Sequence, residues 1–319
     1  MSIQQPARPA PTAISAPLIA APDRPSWVRL PVAVVLTARP RQWPKNLLVF
    51  AAPLTGSALG RGSRALGGVT VAFIAFTLAS CAVYFVNDVL DAERDRRHPR
   101  KCLRPIASGD LRENHALAVA ALCVAGAATA VVFSPGLGLS WAVAAYLVLS
   151  FLYCGRLKHL AVVELLLVAS GFVLRALGGA AAAQVPPSGW FVLVCSLGAL
   201  LVVIAKRYTE ITSLGGASAA HRPSLSHYTP RGLRLAQRLT AATMVAAYCA
   251  WAATEPDTWT AQWHLATLLP LVAALVRFDR LTAAGGTGHI EDLLIRDVPM
   301  LCLELTWLLL FVVGLAIHP

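Results

Sequence analysis

Residues 69–95 read VTVAFIAFTLASCAVYFVNDVLDAERD. The stretch from Val69 to Val86 carries no charge. It is nearly long enough to cross a bilayer core, which needs about 20 mostly apolar residues in a helix. It then runs straight into Asn87, Asp88, Asp91, Glu93 and Asp95. On a helix, positions 88, 91 and 95 recur at i, i+3 and i+7. Three carboxylates therefore share one stripe, with Asn87 at its edge and Glu93 turned away. Like charges this close repel, so the stripe is sensible only with positive charge among it. Hard oxygen ligands with spare water positions suit Mg²⁺ bound together with substrate phosphates, which makes Asn87, Asp88, Asp91 and Asp95 the candidate metal and catalytic residues. A solvated, helix-ending charge cluster is the plainer alternative, and it suits Glu93 and Asp95 alone better than the whole set.

The apolar half of this pattern recurs along the chain. Of 319 residues, 57% are hydrophobic and 13% charged, and the mean hydropathy is +0.63, whereas a soluble domain carries roughly 25% charged residues. The expected fold is all-α and integral to the membrane. Nine spans are placed near 42–60, 69–93, 115–134, 137–154, 159–183, 189–210, 233–253, 262–278 and 298–317, with turn residues such as Ser134-Pro135-Gly136 and Pro186-Pro187-Ser188-Gly189 between them. Residues 1–26, rich in Pro and Ala, read as a disordered tail preceding a single catalytic domain over 27–319. Leu30 to Ala38 is apolar but short and lacks a signal-peptide cleavage site.

Net charge is +11, which could suggest nucleic acid, but the cations sit in alternate loops rather than over a soluble surface. With the N-terminus inside, 23 Lys and Arg residues fall on the cytoplasmic side and only Arg61 and Arg64 on the other, as short cytoplasmic loops require. Arg175 and Arg238 lie within helices. The seven cysteines form no CxxC pair, so neither a disulfide framework nor a zinc site is indicated.

Several basic and aromatic patches border the same face as the acids. His98 to Gly109 contributes Lys101 and Arg104; Arg39 to Asn46 contributes Arg41, Trp43, Lys45 and Asn46. Tyr153, Lys158 and His159 flank the fourth loop, and Lys206, Arg207, Tyr208 and Glu210 end the sixth helix, followed by His221, Arg222, His227 and Tyr228. Each patch alone would pass as a positive-inside loop or an interfacial anchor; together they ring one surface with phosphate-binding groups. Glu164 and Arg175 share a face of the fifth helix, and Arg175 lies roughly 24 Å from its start. A cavity-lining or structural ion-pair role for Arg175 is therefore expected rather than direct catalysis.

The signature Asn-Asp-x-x-Asp-x-x-x-Asp at 87–95, the stretch Arg-Pro-x-Gln-Trp-x-Lys-Asn at 39–46 and the nine-helix layout resemble the UbiA superfamily of intramembrane prenyltransferases over residues 37–317. The resemblance implies a helical bundle with a central cavity open to lipid, in which the first aspartate motif binds Mg²⁺ and a diphosphate. The aromatic-prenyltransferase branch carries a second acidic motif after the sixth helix, where this chain has Lys206-Arg207-Tyr208-Thr209-Glu210. The chain looks instead like the branch that moves phosphoribose from phosphoribosyl diphosphate (PRPP) to a polyprenyl (decaprenyl) phosphate. The match is closest in Tyr84-x-x-Asn87-Asp88-x-x-Asp91, Arg104-Pro105-Ile106-Ala107, Leu157-Lys158-His159-x-Ala161-Val162-Val163-Glu164, Lys206-Arg207-Tyr208-x-Glu210 and Glu291-Asp292-x-x-x-Arg296-Asp297.

That branch implies a plasma-membrane enzyme facing the cytoplasm, a homo-oligomer such as a trimer, and a role in supplying decaprenylphosphoryl-arabinose for the arabinogalactan of an actinobacterial cell wall. Its substrates bring three anionic groups, so extra Lys and Arg are what the pair needs. Arg41, Lys45, Lys101 and Arg104 are expected as clamps on the diphosphate. Lys158, Lys206, Arg207 and Tyr208 are expected to hold the 5-phosphate or the acceptor phosphate, and the sequence assigns neither. Two other classes stay open. One is a UbiA-type enzyme joining a prenyl diphosphate to an aromatic acceptor, which a second aspartate pair would have favoured. The other is a lipid transporter, which would place its charges near the bilayer midplane.

Overall fold

The computed structural model describes residues 26–55, 63–214, 223–254, 258–284 and 297–317. Within these the chain is helical throughout. The principal helices are α1 (Ser26–Ala38), α2 (Ala51–Thr55), α3 (Ser63–Leu90), α4 (Ala92–Arg96), α5 (Pro105–Ser108), α6 (Glu113–Val132), α7 (Gly138–Gly155), α8 (Val163–Ala182), α9 (Gly189–Leu214), α10 (Pro230–Ala253), α11 (Thr258–Ala283) and α12 (Val298–Ile317). Among the described residues five helices, α3, α6, α7, α8 and α9, are long and apolar enough to cross a membrane. α10 is as long, but Arg231, Arg234, Gln237 and Arg238 interrupt its apolar character. The tail at 1–25, His221, Arg222 and the Glu291 to Arg296 stretch lie outside the described residues.

One local expectation is corrected. Residues 42–60 do not begin as an α-helix. Pro40–Phe50 forms an unusually long 3-10 run that passes into α2 only at Ala51; Pro44 inside it removes a backbone donor that an α-helix would use. The short apolar stretch before it is a helix, α1, despite Pro31. Its Ala33 is buried in a cluster with Cys81, Phe85, Ile106 and Ala116, so packing supplies what a thirteen-residue helix lacks alone.

α3 is the central strut, packing on α6, α7 and α8. Small residues let backbones meet there, as in membrane bundles generally. A Cβ at Gly179 of α8 would overlap the carbonyl of Val49, and one at Gly178 would collide with the ring of Phe76. The glycine pair therefore seats the Pro40–Phe50 run and α3 against α8. Through it, the segment carrying Arg39, Arg41 and Lys45 is fixed relative to the acid end of α3.

Candidate active site

The acid stripe forms as its spacing predicts. α3 ends at Leu90, Asp91 makes a slight break, and α4 continues, with Asp91 N–H donating to Asn87 and Asp95 N–H to Asp91. Asp88 and Asp95 are buried. Glu93 faces away, 73% exposed in its side chain and paired with Arg96 and Arg97. Those two guanidiniums, Arg97 first through its hydrogen bond, hold the Glu93 carboxyl below its ordinary range.

The positive charge demanded by three close carboxylates comes from the chain itself. Arg39 Nη2 lies 2.5 Å from Asp88 Oδ1. One nitrogen of Arg104, Nη1, reaches both Asp88 (3.2 Å) and Asp95 (2.6 Å), so these two carboxylates face each other across it. Lys158 Nζ meets Asp91 at 2.6 Å, with Arg94 at 3.7 Å. Asn87 donates to Asp88 at 3.4 Å. Each cation arrives from a different segment: the start of the 3-10 run, the turn before α5, and the 3-10 turn Leu157–His159.

Arg39 joins the site although its position in the sequence does not mark it out from the other cations of its segment. Its backbone is left-handed (φ 52, ψ 63) although it precedes Pro40, a costly conformation for a pre-proline residue. The strain turns the chain so that the guanidinium lies on Asp88 and over the ring of Tyr84, 5.0 Å from its centroid. The signal was present in the Arg-Pro dipeptide; the direction of the side chain was not.

Among the described residues no three His, Cys, Asp or Glu side chains converge on one point. The donor chemistry nonetheless fits magnesium, which is typically held by one or two carboxylates with substrate phosphates and waters completing its shell. Asp88, Asp91 and Asp95, with Asn87 beside them, carry oxygens of that kind.

The remaining expected residues separate into three groups. Arg41 is exposed and Lys45 half-exposed along the 3-10 run; Lys101 opens the short turn before α5, where its N–H donates to His98 Nδ1. Tyr153, His159, Lys206, Tyr208 and Glu210 are half-buried near the ends of α7 and α9. Asn46 and Arg207 are enclosed. Asn46 is 1% exposed; its amide donates to Thr77 and its oxygen accepts from Arg175 Nε at 2.7 Å. Arg207, 2% exposed, lies between Glu164 (2.7 Å) and Glu210 (2.6 Å).

An ion pair between Glu164 and Arg175 is therefore not formed, since Glu164 takes Arg207 instead. Arg175 is buried among neutral acceptors: Asn46, the Gly171 carbonyl, Ser80 and Tyr146. The ring of Tyr146 lies under its guanidinium at 4.5 Å. The turn preceding α8 is also strained. Val162 (φ 65, ψ −52) forms a tight turn closed by Val163 N–H to Ala161 O at 2.7 Å, and the Tyr228 hydroxyl accepts its N–H. That turn fixes Lys158 and Glu164 on either side.

Residues 47–286 match the UbiA prenyltransferase family. The chain is 41% identical over 285 residues to a decaprenyl-phosphate phosphoribosyltransferase of Mycobacterium tuberculosis, covering 88% of this chain and 93% of that one. It is 34% identical to an enzyme of the same name from Corynebacterium glutamicum, with 90% and 87% covered. In fold it is similar to a UbiA homolog from Archaeoglobus fulgidus bound to GPP and Mg²⁺, with a TM-score of 0.66 at 14% identity, covering 89% of this chain and 98% of that one. The chain, a multi-pass membrane protein, belongs to the UbiA prenyltransferase family.

Proposed function

We propose that this enzyme transfers the 5-phosphoribosyl group of PRPP to decaprenyl phosphate and releases diphosphate. The bond from the anomeric carbon to the diphosphate oxygen breaks, and a bond to the acceptor phosphate oxygen forms. The observation that carries this reading is the ring of cations from separate segments around Asp88, Asp91 and Asp95, together with Lys206 and Arg207 where a second acid pair would serve a prenyl diphosphate donor. The mycobacterial and corynebacterial relatives support the same substrates.

Magnesium held by Asp88, Asp91 and Asp95 would supply charge to the departing diphosphate. Arg39, Arg104 and Lys158 exchange their carboxylates for phosphate oxygens when the donor enters, and Arg41, Lys45 and Lys101 close on it from the exposed side. Arg207 and Asn46, being enclosed, act as positioning residues. The attacking oxygen belongs to an already ionised phosphate, so no strong base is needed, and orientation and electrostatics carry the rate.

The unit is the single domain over 27–319, a nine-span bundle with a lipid-open cavity, N-terminus and site on the cytoplasmic side of the plasma membrane. It works as a homo-oligomer in supplying the cell-wall arabinose donor. Supplying purified protein with ribose-labelled PRPP plus decaprenyl phosphate, and separately with labelled geranyl diphosphate plus an aromatic acceptor, tests the reading. Label in lipid from the first pair alone is expected; product from the second pair alone would move the enzyme to the aromatic branch.

A further inference from the structure

α10 carries a basic stripe that the transfer chemistry does not use. Arg231, Arg234 and Arg238 recur at i, i+3 and i+7, so they share one face. With Tyr208, Pro230 and Leu235 they line a groove of about 300 Å³ between α9 and α10. Its charge is unbalanced. Asp279 of α11 serves two of the arginines, Arg234 at 3.0 Å and Arg238 at 3.5 Å. Arg231 makes no ion pair among the described residues.

The groove thus holds three guanidiniums against one carboxylate. Arg234 is committed to the fold through Asp279 and Thr282 and by lying 5.3 Å over the Tyr208 ring. Arg231 and Arg238 project outward, Arg238 with 63% of its side chain exposed. Beside them Leu235 and Leu239 are 60% and 58% exposed. Arg238 stands eight residues beyond Pro230, about 12 Å along the helix at 1.5 Å per residue.

Among the described residues the groove has a net excess of two positive charges beside exposed leucines, which matches a dianion on an apolar tail. A phosphomonoester carries a charge of about −1.5 to −2 at neutral pH, as its second pKa is near 6; a phospholipid diester carries only one negative charge. We infer that this groove binds the phosphomonoester headgroup of the polyprenyl acceptor. The inference rests on the reaction proposed above. The groove borders the site: Tyr208 forms its wall while its neighbour Arg207 holds Glu164 at the start of α8.

Arg231→Gln and Arg238→Gln, both at exposed positions, test it against Arg112→Gln as an equal loss of charge elsewhere. Initial rates are measured with decaprenyl phosphate and PRPP varied separately. Each groove variant should raise KM for the lipid about tenfold, the scale of one charge-assisted contact, while kcat and KM for PRPP hold and Arg112→Gln resembles wild type. Equal changes in both KM values, or none, overturn the assignment.

Direct binding of farnesyl monophosphate to the purified full chain, without donor, keeps this separate from the reaction itself. Failure of wild type to transfer phosphoribose would refute the proposed reaction. Loss of farnesyl monophosphate binding in the groove variants would still support the site. Equal binding by wild type and variants, or equal displacement by the diester phosphatidylglycerol, overturns it.

Discussion

Lys158 Nζ lies 2.6 Å from Asp91 Oδ1, joining the turn before α8 to the end of α3 across 67 positions of sequence. Lys158 is 8% exposed, so the pair is a fixed part of the acid site rather than a surface contact. If the ammonium passes from carboxylate to phosphate during turnover, Lys158→Ala should lower kcat/KM for PRPP about 100-fold. The fold should lose only about 1–2 kcal/mol, since Asp91 is 18% exposed in its side chain and keeps Arg94 nearby. Steady-state kinetics paired with a thermal melt separate the two effects.

The stripe argument grades the acids. Asp88→Asn and Asp91→Asn should each reduce turnover about 100- to 1,000-fold, far more than their stability cost of about 1–3 kcal/mol from the broken pairs to Arg39, Arg104 and Lys158 would produce. Glu93→Gln should stay within about twofold, because its partners are exposed. Equal losses at all three positions would contradict the stripe.

Arg175 ties α3, α7, α8 and the 3-10 run together through neutral acceptors. Arg175→Leu strands Asn46, Ser80 and the Gly171 carbonyl and should cost on the order of 3 kcal/mol. Turnover should fall with stability, because Arg39, Arg41 and Lys45 ride on the run that it anchors. Denaturant unfolding in detergent measures the loss.

The buried Glu164–Arg207 pair predicts a non-additive double-mutant cycle. Glu164→Gln should cost about 2–3 kcal/mol, below the full value for a broken buried pair because Glu210 still holds Arg207. Removing both partners together should cost less than the two single changes added.

Asp297 clasps Arg277 through both oxygens, at 3.1 and 2.7 Å, and also accepts from Met300 N–H at the start of α12. The Arg277 hydrogen bond holds its carboxyl below the ordinary value. A depressed pKa contributes stability that is present above the unfolded value and lost as pH falls through the folded one. The melting-temperature advantage of wild type over Asp297→Asn should therefore be full at neutral pH and shrink as pH falls below the ordinary carboxylate range.

Helical class, membrane character and the acid stripe were legible because each depends on spacing within one segment. The stripe's need for positive charge was legible as well, but not its source, because Arg39, Arg104 and Lys158 meet the acids only through tertiary packing. Glu164 and Arg175 share a helix face, and periodicity alone cannot tell that Arg207 from α9 claims the glutamate. The 3-10 run escaped a hydropathy reading, which registers apolar content but not the donor that Pro44 removes. α1 escaped because its stability lies in contacts with α3 and α5.

The most direct test of the account is transfer of ribose label from PRPP to decaprenyl phosphate by purified protein in detergent, with and without Mg²⁺, for wild type and Asp88→Asn. Magnesium-dependent labelled lipid from wild type, lost in the variant, is the predicted result. Transfer that persists in Asp88→Asn, or no transfer from folded wild-type protein, would contradict it.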